Sequence, residues 1–247
     1  MPYVIQYLRQ EEKGKIPDQL FPSARAGSIQ QHKEFVNNVQ GMAADRETQT
    51  MKNGADKQQG LPDRIVLTGF RATGKTAVGK ALARLIGFRF LDTDQELCQR
   101  MGCSVTEAVR QHGWPYFREQ EQTLLAELPC WQETIIATGG GAILHQNEWQ
   151  ELHQGSFVVW LRTDLATTLS RLARDQKTAA QRPALTGGRD RQEDVQDPAK
   201  EISAVLAERE PLYRAGSDLA LDTEGKTPKA LAGVIHEQLI FHQPCSL

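Results

Sequence analysis

From residue 69 to residue 76 the chain reads Gly-Phe-Arg-Ala-Thr-Gly-Lys-Thr, which sets Gly69, Gly74, Lys75 and Thr76 at the spacing G-x-x-x-x-G-K-[ST]. Residues of those types at that spacing can hold a polyphosphate. Glycines let successive backbone N–H groups converge on the anion with no Cβ in the way. A helix beginning at the second glycine points the positive end of its dipole at the same charge. Lys75 can then reach the β- and γ-phosphates, and the Thr76 hydroxyl suits Mg²⁺. A chance glycine turn would share the loop but not its flanks. Ile65, Val66 and Leu67 make an apolar strand, and Ala77, Val78, Ala81, Leu82 and Leu85 recur at helical spacing before Gly87. ATP or GTP is therefore expected on Gly69, Arg71, Ala72, Thr73, Gly74, Lys75, Thr76 and Ala77. The motif does not name the acceptor.

Other residues downstream could complete a transfer reaction. Asp92 and Asp94 follow a second apolar stretch. At strand period both carboxylates share a face, and ligands of open α/β sheets bind at the carboxyl ends of strands. One could serve a metal beside Thr76 while the other accepts the proton of an acceptor hydroxyl. A helix N-cap and a turn residue explain the pair equally well. Gly139, Gly140 and Gly141 end a third apolar run. They permit close backbone approach to a ligand, although a strand-to-helix turn also uses glycine. Pro115 suits a first helical turn, and Arg118 and Glu121, three apart, share a face. That spacing fits a solvated surface pair, and with Phe117 it fits a seat for a small anion. Arg182, within a polar stretch, could stabilise charge on a moving phosphoryl group or be an ordinary loop arginine. Arg209 is expected to lie at the end of a helix stopped by Pro211, where it could simply complement the last carbonyls.

Elements that would carry these residues alternate along the chain. Strands are expected at 64–68, 88–91, 134–138, 157–161 and 218–221. Helices are expected at 76–86, 95–101, 105–111, 115–128, 165–174, 199–209 and 229–240. Continuous apolar strands between helices indicate an open, mostly parallel α/β sheet covered on both faces. Residues 175–197 form a long polar segment, the size of a mobile lid. Residues 1–60 differ in character and are expected to be a polar, flexible extension ahead of the domain at 61–247. Within the extension, Phe35, Val36, Val39 and Met42 hint at one amphipathic helix, and 44–60 reads as a linker. Net charge is -2, from 29 Lys+Arg against 31 Asp+Glu, which favours neither nucleic acid nor an anionic membrane surface. No apolar run could span a bilayer, and the N-terminus lacks the order of a signal peptide. The cysteines Cys98, Cys103, Cys130 and Cys245 form no C-x-x-C pair. Reduced thiols and a cytoplasmic protein are expected.

Taken in order, these motifs resemble the shikimate kinase family over residues 63–240. That family carries a P-loop, Asp-x-Asp, a glycine followed by Phe-Arg-x-x-Glu, Gly-Gly-Gly, Arg-Pro-Leu-Leu in a lid, and Arg-x-x-x-Tyr. Here these are Gly69–Thr76, Asp92 with Asp94, Gly113 with Phe117, Arg118 and Glu121, Gly139 to Gly141, Arg182 with Pro183, and Arg209 with Tyr213. Ala184 replaces the first lid leucine. The resemblance implies a three-layer P-loop kinase sandwich, similar to nucleoside monophosphate kinases, with a five-stranded parallel sheet and a mobile lid. It implies ATP-dependent phosphorylation of shikimate at its 3-hydroxyl by a monomer. Thr76 and Asp92 would serve Mg²⁺, and Asp94 would hold the hydroxyl and act as base. Arg118 and Arg209 would grip the substrate carboxylate beside Gly139, Gly140 and Gly141, with Glu121 orienting Arg118. Lys75 and Arg182 would stabilise the phosphoryl group in flight. Arg174 and the turn at 223–228 would flank adenine. A gluconate-kinase-like enzyme is the nearest rival, and a non-catalytic shikimate-sensing module is a rival of another class. The first lacks the Arg118 and glycine set, and the second has no reason to keep Lys75, Asp94 and both arginines.

Overall fold

Strand β1, Arg64–Thr68, is buried along its whole length, and the rest of the domain is arranged around it. The structure is a computed structural model that describes residues 61–174 and 198–241. The extension at 1–60, the segment holding Arg182, Pro183 and Ala184, and Cys245 lie outside the described residues. After β1 come α1 (Lys75–Ile86), β2 (Arg89–Asp92), α2 (Thr93–Met101) and α3 (Val105–Glu127). Then follow β3 (Thr134–Ala137), α4 (Gln146–His153), β4 (Ser156–Arg162), α5 (Leu165–Arg174), α6 (Pro198–Ala215), β5 (Leu219–Asp222) and α7 (Pro228–Phe241). The sheet order is β2-β3-β1-β4-β5, and each pairing is parallel. The open parallel sheet expected from the apolar runs is present, with the five strands that the family resemblance implied.

Side-chain alternation explains the three layers. Val66, Ile136, Val158 and Trp160 face a cluster built on Leu97 of α2, Phe117 and Leu124 of α3, Trp149 of α4 and Tyr213 of α6. Ile65, Leu67, Ile135, Val159 and Leu161 face the opposite way, onto α1 and α7. Each such residue contributes about 1.5–3 kcal/mol when fully buried. A smaller cluster of Phe70, Ile202 and Val205 brings α6 against the loop after β1, with Leu165 and Leu169 of α5. At the amino end of β1, Arg64 is 5% exposed and fully engaged. It donates to Ser156 Oγ and to the carbonyls of Pro129, Trp131 and Gln154.

Local sequence sets the ends of the helices that carry the site. Helix α1 begins at Gly74 and ends at Gly87, both left-handed, with φ 90° and 76°. Helix α3 opens with a reciprocal capping box between Ser104 and Glu107. It is broken at Gly113, φ 82° and ψ 169°, so the span is two helices meeting at a kink, as expected at 105–111 and 115–128.

Two expectations need correction, and one helix was not foreseen. Asp92 is the last residue of β2 and Asp94 is already helical, so strand period does not relate their side chains. Helix α4 has only Trp149 and Leu152 buried, too few apolar positions to signal a helix in advance. Pro211 does not stop its helix, which runs on to Ala215. A proline inside a helix costs about 3 kcal/mol. The last turn offsets that cost by burying Tyr213, which stacks on Trp160 at 5.9 Å. Arg209 therefore lies within α6, not at its carboxyl end.

Candidate active site

The carboxyl ends of β1, β2 and β3 open onto a cleft of about 840 Å³. Its floor is the turn between β1 and α1. Gly69 adopts φ 132°, and a Cβ there would strike the Leu161 carbonyl of β4. Ala72 is also left-handed, φ 62°, and its carbonyl is held by Arg171 Nη1 at 3.0 Å. A strained residue in a phosphate loop costs of order 1 kcal/mol and persists where its surroundings hold it. Thr73, buried, donates to the Phe70 carbonyl at 2.9 Å and so closes the loop on itself. Lys75 Nζ lies across the loop, 2.8 and 2.7 Å from the carbonyls of Gly69 and Phe70. Because Gly74 has no side chain, it cannot cap the first amides of α1, an arrangement in which a bound anion can do so.

Asp92 caps a helix and also reaches the phosphate loop. Its Oδ1 accepts from the amides of Asp94 and Gln95, capping α2, at 3.2 and 3.3 Å. Its Oδ2 accepts from Thr76 Oγ1 at 2.7 Å. A hydroxyl and a carboxylate thus converge beside the phosphate loop. Asp94 sits one turn into the cleft, against the glycine triplet: a Cβ on Gly139 would lie 2.5 Å from Asp94 Oδ1. The Gly139 amide is itself fixed by the Thr93 hydroxyl at 2.8 Å.

Two arginines enter from opposite elements. Arg118 of α3 lies along Gly141, whose absent Cβ leaves the guanidinium its room. Its Nη1 pairs with Glu121 Oε2, and its plane lies 5.1 Å from the Trp114 ring. Glu121 is only 3% exposed. Burial pushes its carboxyl up, but the hydrogen bond from His145 and the Arg118 charge more than reverse this and hold it below the usual glutamate range. Arg209, 7% exposed, donates to the Gly140 carbonyl at 3.0 Å, and its buried Nε has no partner among the described residues. Tyr213 donates to the same carbonyl at 2.6 Å. Burial pushes the phenol up to about 12, so it stays a donor.

The shikimate kinase family model matches residues 71–240. The chain belongs to the shikimate kinase family. It is 41% identical over 160 residues to the shikimate kinase of Oleidesulfovibrio alaskensis, covering 65% of this chain and 88% of that protein. It is 40% identical to that of Moorella thermoacetica, covering 72% and 95%. Among solved structures, the shikimate kinase from Acinetobacter baumannii in complex with shikimate matches with a TM-score of 0.66 and 32% identity. That match covers 74% of this chain and 95% of the other.

Relative to the family motifs, the cleft gathers Arg71, Ala72, Gly74, Lys75, Thr76, Ala77, Asp92, Asp94, Arg118, the three glycines and Arg209. Gly69 and Thr73 shape the loop from beneath, and Arg182 is outside the described residues. Among residues that carried no advance signal, Arg171 stands out. It lines the cleft and ties the Ala72 carbonyl to Thr223, through bonds of 3.0 Å to Ala72 O and Thr223 Oγ1. Arg174, the adenine candidate, is exposed at the end of α5. A helical arginine three residues from another has no distinguishing pattern in sequence. Trp114 and His145 were also unmarked: the first meets Arg118 from one turn earlier on the same helix, and the second reaches Glu121 from another element.

Proposed function

We propose that this chain transfers the γ-phosphoryl group of ATP to the 3-hydroxyl of shikimate, giving 3-phosphoshikimate and ADP in aromatic amino-acid biosynthesis. The observation that carries this reading is the meeting of Asp94, Arg118 and Arg209 in the cleft that holds the phosphate loop. A hydroxy acid presents one carboxylate, which suits planar guanidinium groups, and one nucleophilic hydroxyl, which needs a base. Asp94 at the glycine triplet takes the hydroxyl proton. Arg118 and Arg209 bind the carboxylate, with Glu121 orienting the first and the Gly140 carbonyl the second. Gly139 and Gly141 supply room, since a side chain on either would meet Asp94 or Arg118.

Lys75 leaves the carbonyls of Gly69 and Phe70 for the β- and γ-phosphates, and Arg182 adds charge from the polar segment. Arg171 and Thr223 wall the nucleotide side of the loop. The Thr76 hydroxyl and Asp92 carboxylate, 2.7 Å apart, fit Mg²⁺, a hard cation that takes oxygen donors and keeps several waters. Among the described residues no group of three or more His, Cys, Asp or Glu could hold a metal. When bound, Mg²⁺ neutralises phosphate charge.

No helix among the described residues is long and apolar enough to cross a membrane. Cys98, Cys103 and Cys130 are free thiols, which fits the reducing cytoplasm. The test is an ADP-release assay with shikimate, quinate and gluconate offered separately. Turnover should be fastest with shikimate. Turnover with gluconate alone would overturn the reading.

A further inference from the structure

We infer that His145 is a positioning residue for the substrate arginine Arg118 and acts through Glu121; this rests on the shikimate reading above. The chain reaches this position by a short route. After the glycine triplet, residues Ala142–Leu144 form a single 3₁₀ turn, closed by Leu144 N to Gly141 O at 3.0 Å and His145 N to Ala142 O at 3.1 Å. From the end of that turn the side chain of residue 145 reaches α3. His145 stands at the N-cap of α4, yet its side chain makes no capping bond there. The imidazole goes to Glu121 instead, with Nε2 at 3.0 Å from Oε2. It is 12% exposed.

The chemistry of Glu121 settles the direction of this bond. A carboxylate held below its usual range is ionised and can only accept, so Nε2 carries the proton. The same Oε2 also takes Arg118 Nη1. One oxygen of a buried carboxylate is therefore shared between a guanidinium and an imidazole. Without the imidazole, a carboxylate 3% exposed would rely on Arg118 for nearly all its compensation. An ion so buried either takes up a proton or draws its partner closer. In both cases Arg118 moves off Gly141 and loses the pose that faces the cleft. His145 supplies the second donor that lets Glu121 stay ionised while Arg118 remains 30% exposed to substrate. The groups facing this imidazole are Glu121 and Arg118 from α3 and Glu148 from its own helix, where Glu148 is engaged by Gln122 at 2.6 Å.

The test compares His145→Leu with His145→Gln, because a glutamine amide can place its N–H where Nε2 stands. His145→Leu should raise the KM for shikimate about ten-fold or more, with kcat and the KM for ATP within about two-fold, given the strength of a hydrogen bond to a charged group. His145→Gln should recover most of the loss. A normal shikimate KM in His145→Leu overturns the inference. So does an equal loss in both variants, or a loss shared by kcat and both KM values, which would mark a merely structural residue. Wild-type turnover is measured alongside and judges the shikimate reading by itself. The contact is also read without substrate, as a slowly exchanging imidazole N–H proton in the NMR spectrum of histidine-labelled protein. Absence of that proton from the wild-type spectrum overturns the inference whether or not the enzyme acts on shikimate.

Discussion

Adding one methyl group at Gly141 tests the site with little risk to the fold. The residue has φ -96° and ψ -11°, which alanine adopts without strain. A Cβ there would stand 3.1 Å from Arg118 Cζ and Nη2, and closer still to Nη1. Ordinary contact begins near 3.4 Å, so the guanidinium must retreat. It is the far end of a flexible side chain and can do so, which spares the backbone but spoils its alignment with a bound carboxylate. A hydrogen bond to a charged group contributes about 1.5–3 kcal/mol. Gly141→Ala should therefore raise the KM for shikimate about ten- to a hundred-fold. The melting temperature and the KM for ATP should stay near wild type. Gly140→Ala is the internal control, because its Cβ would meet nothing closer than 3.6 Å, the Gly69 carbonyl. It should change the shikimate KM by less than about three-fold, a shift under 1 kcal/mol. Steady-state kinetics with each substrate varied in turn reads both variants. A Gly141→Ala enzyme with a normal shikimate KM, or a Gly140→Ala enzyme damaged as badly, would refute the placement of Arg118 against the triplet.

Three further outcomes are expected. Asp94→Asn should lower kcat by about 10²–10⁴-fold, the usual range for a general base, with nucleotide binding kept; near-normal turnover would remove Asp94 from the mechanism. The Glu121 carboxyl titrates below its unfolded value, so its stabilising effect is full above the ordinary glutamate range and is lost as pH falls through the folded value. The gap in melting temperature between wild type and Glu121→Gln should therefore be widest near neutrality and close in acid, and a gap independent of pH would contradict the charged assignment. A chain starting at Leu61 should fold and keep kcat/KM within a few-fold, because the site residues described all lie beyond it; an insoluble or inactive product would mean that the first sixty residues support the domain.

Much of the sheet was legible because a parallel sheet covered on both faces needs unbroken apolar strands. Ile65, Val66 and Leu67 or Thr134 to Ala137 have no other reading at that length. The phosphate loop was legible because its demands fall on neighbours in sequence. Helix α4 was not, since two buried residues suffice to dock it. Nor was the continuation of α6 through Pro211, where local propensity says stop and the burial of Tyr213 says continue. Asp92 shows a subtler limit. The cap was posed as an alternative to a role beside Thr76, yet one oxygen caps α2 while the other accepts from Thr76. Arg171 and His145 act on partners 99 and 24 residues away, and nothing nearby in the chain announces such partners.

The strand order also bears on how the chain is made. Arg64 of β1 pairs with Thr134 of β3 on one side and Ser156 of β4 on the other. The neighbour next in sequence, β2, is not its partner. While a ribosome extends the chain, β1, buried along its whole length in the finished fold, therefore emerges before its partners and must wait for β3 before it can pair. Until then Ile65, Val66 and Leu67 have α1 for cover and no ladder to join, the condition under which nascent chains aggregate or recruit chaperones. The arrival of β3 closes the ladder and, in the same stroke, delivers the glycine triplet to the phosphate loop. Synthesis thus commits the core and the site together, and a chain released before residue 134 should gain neither.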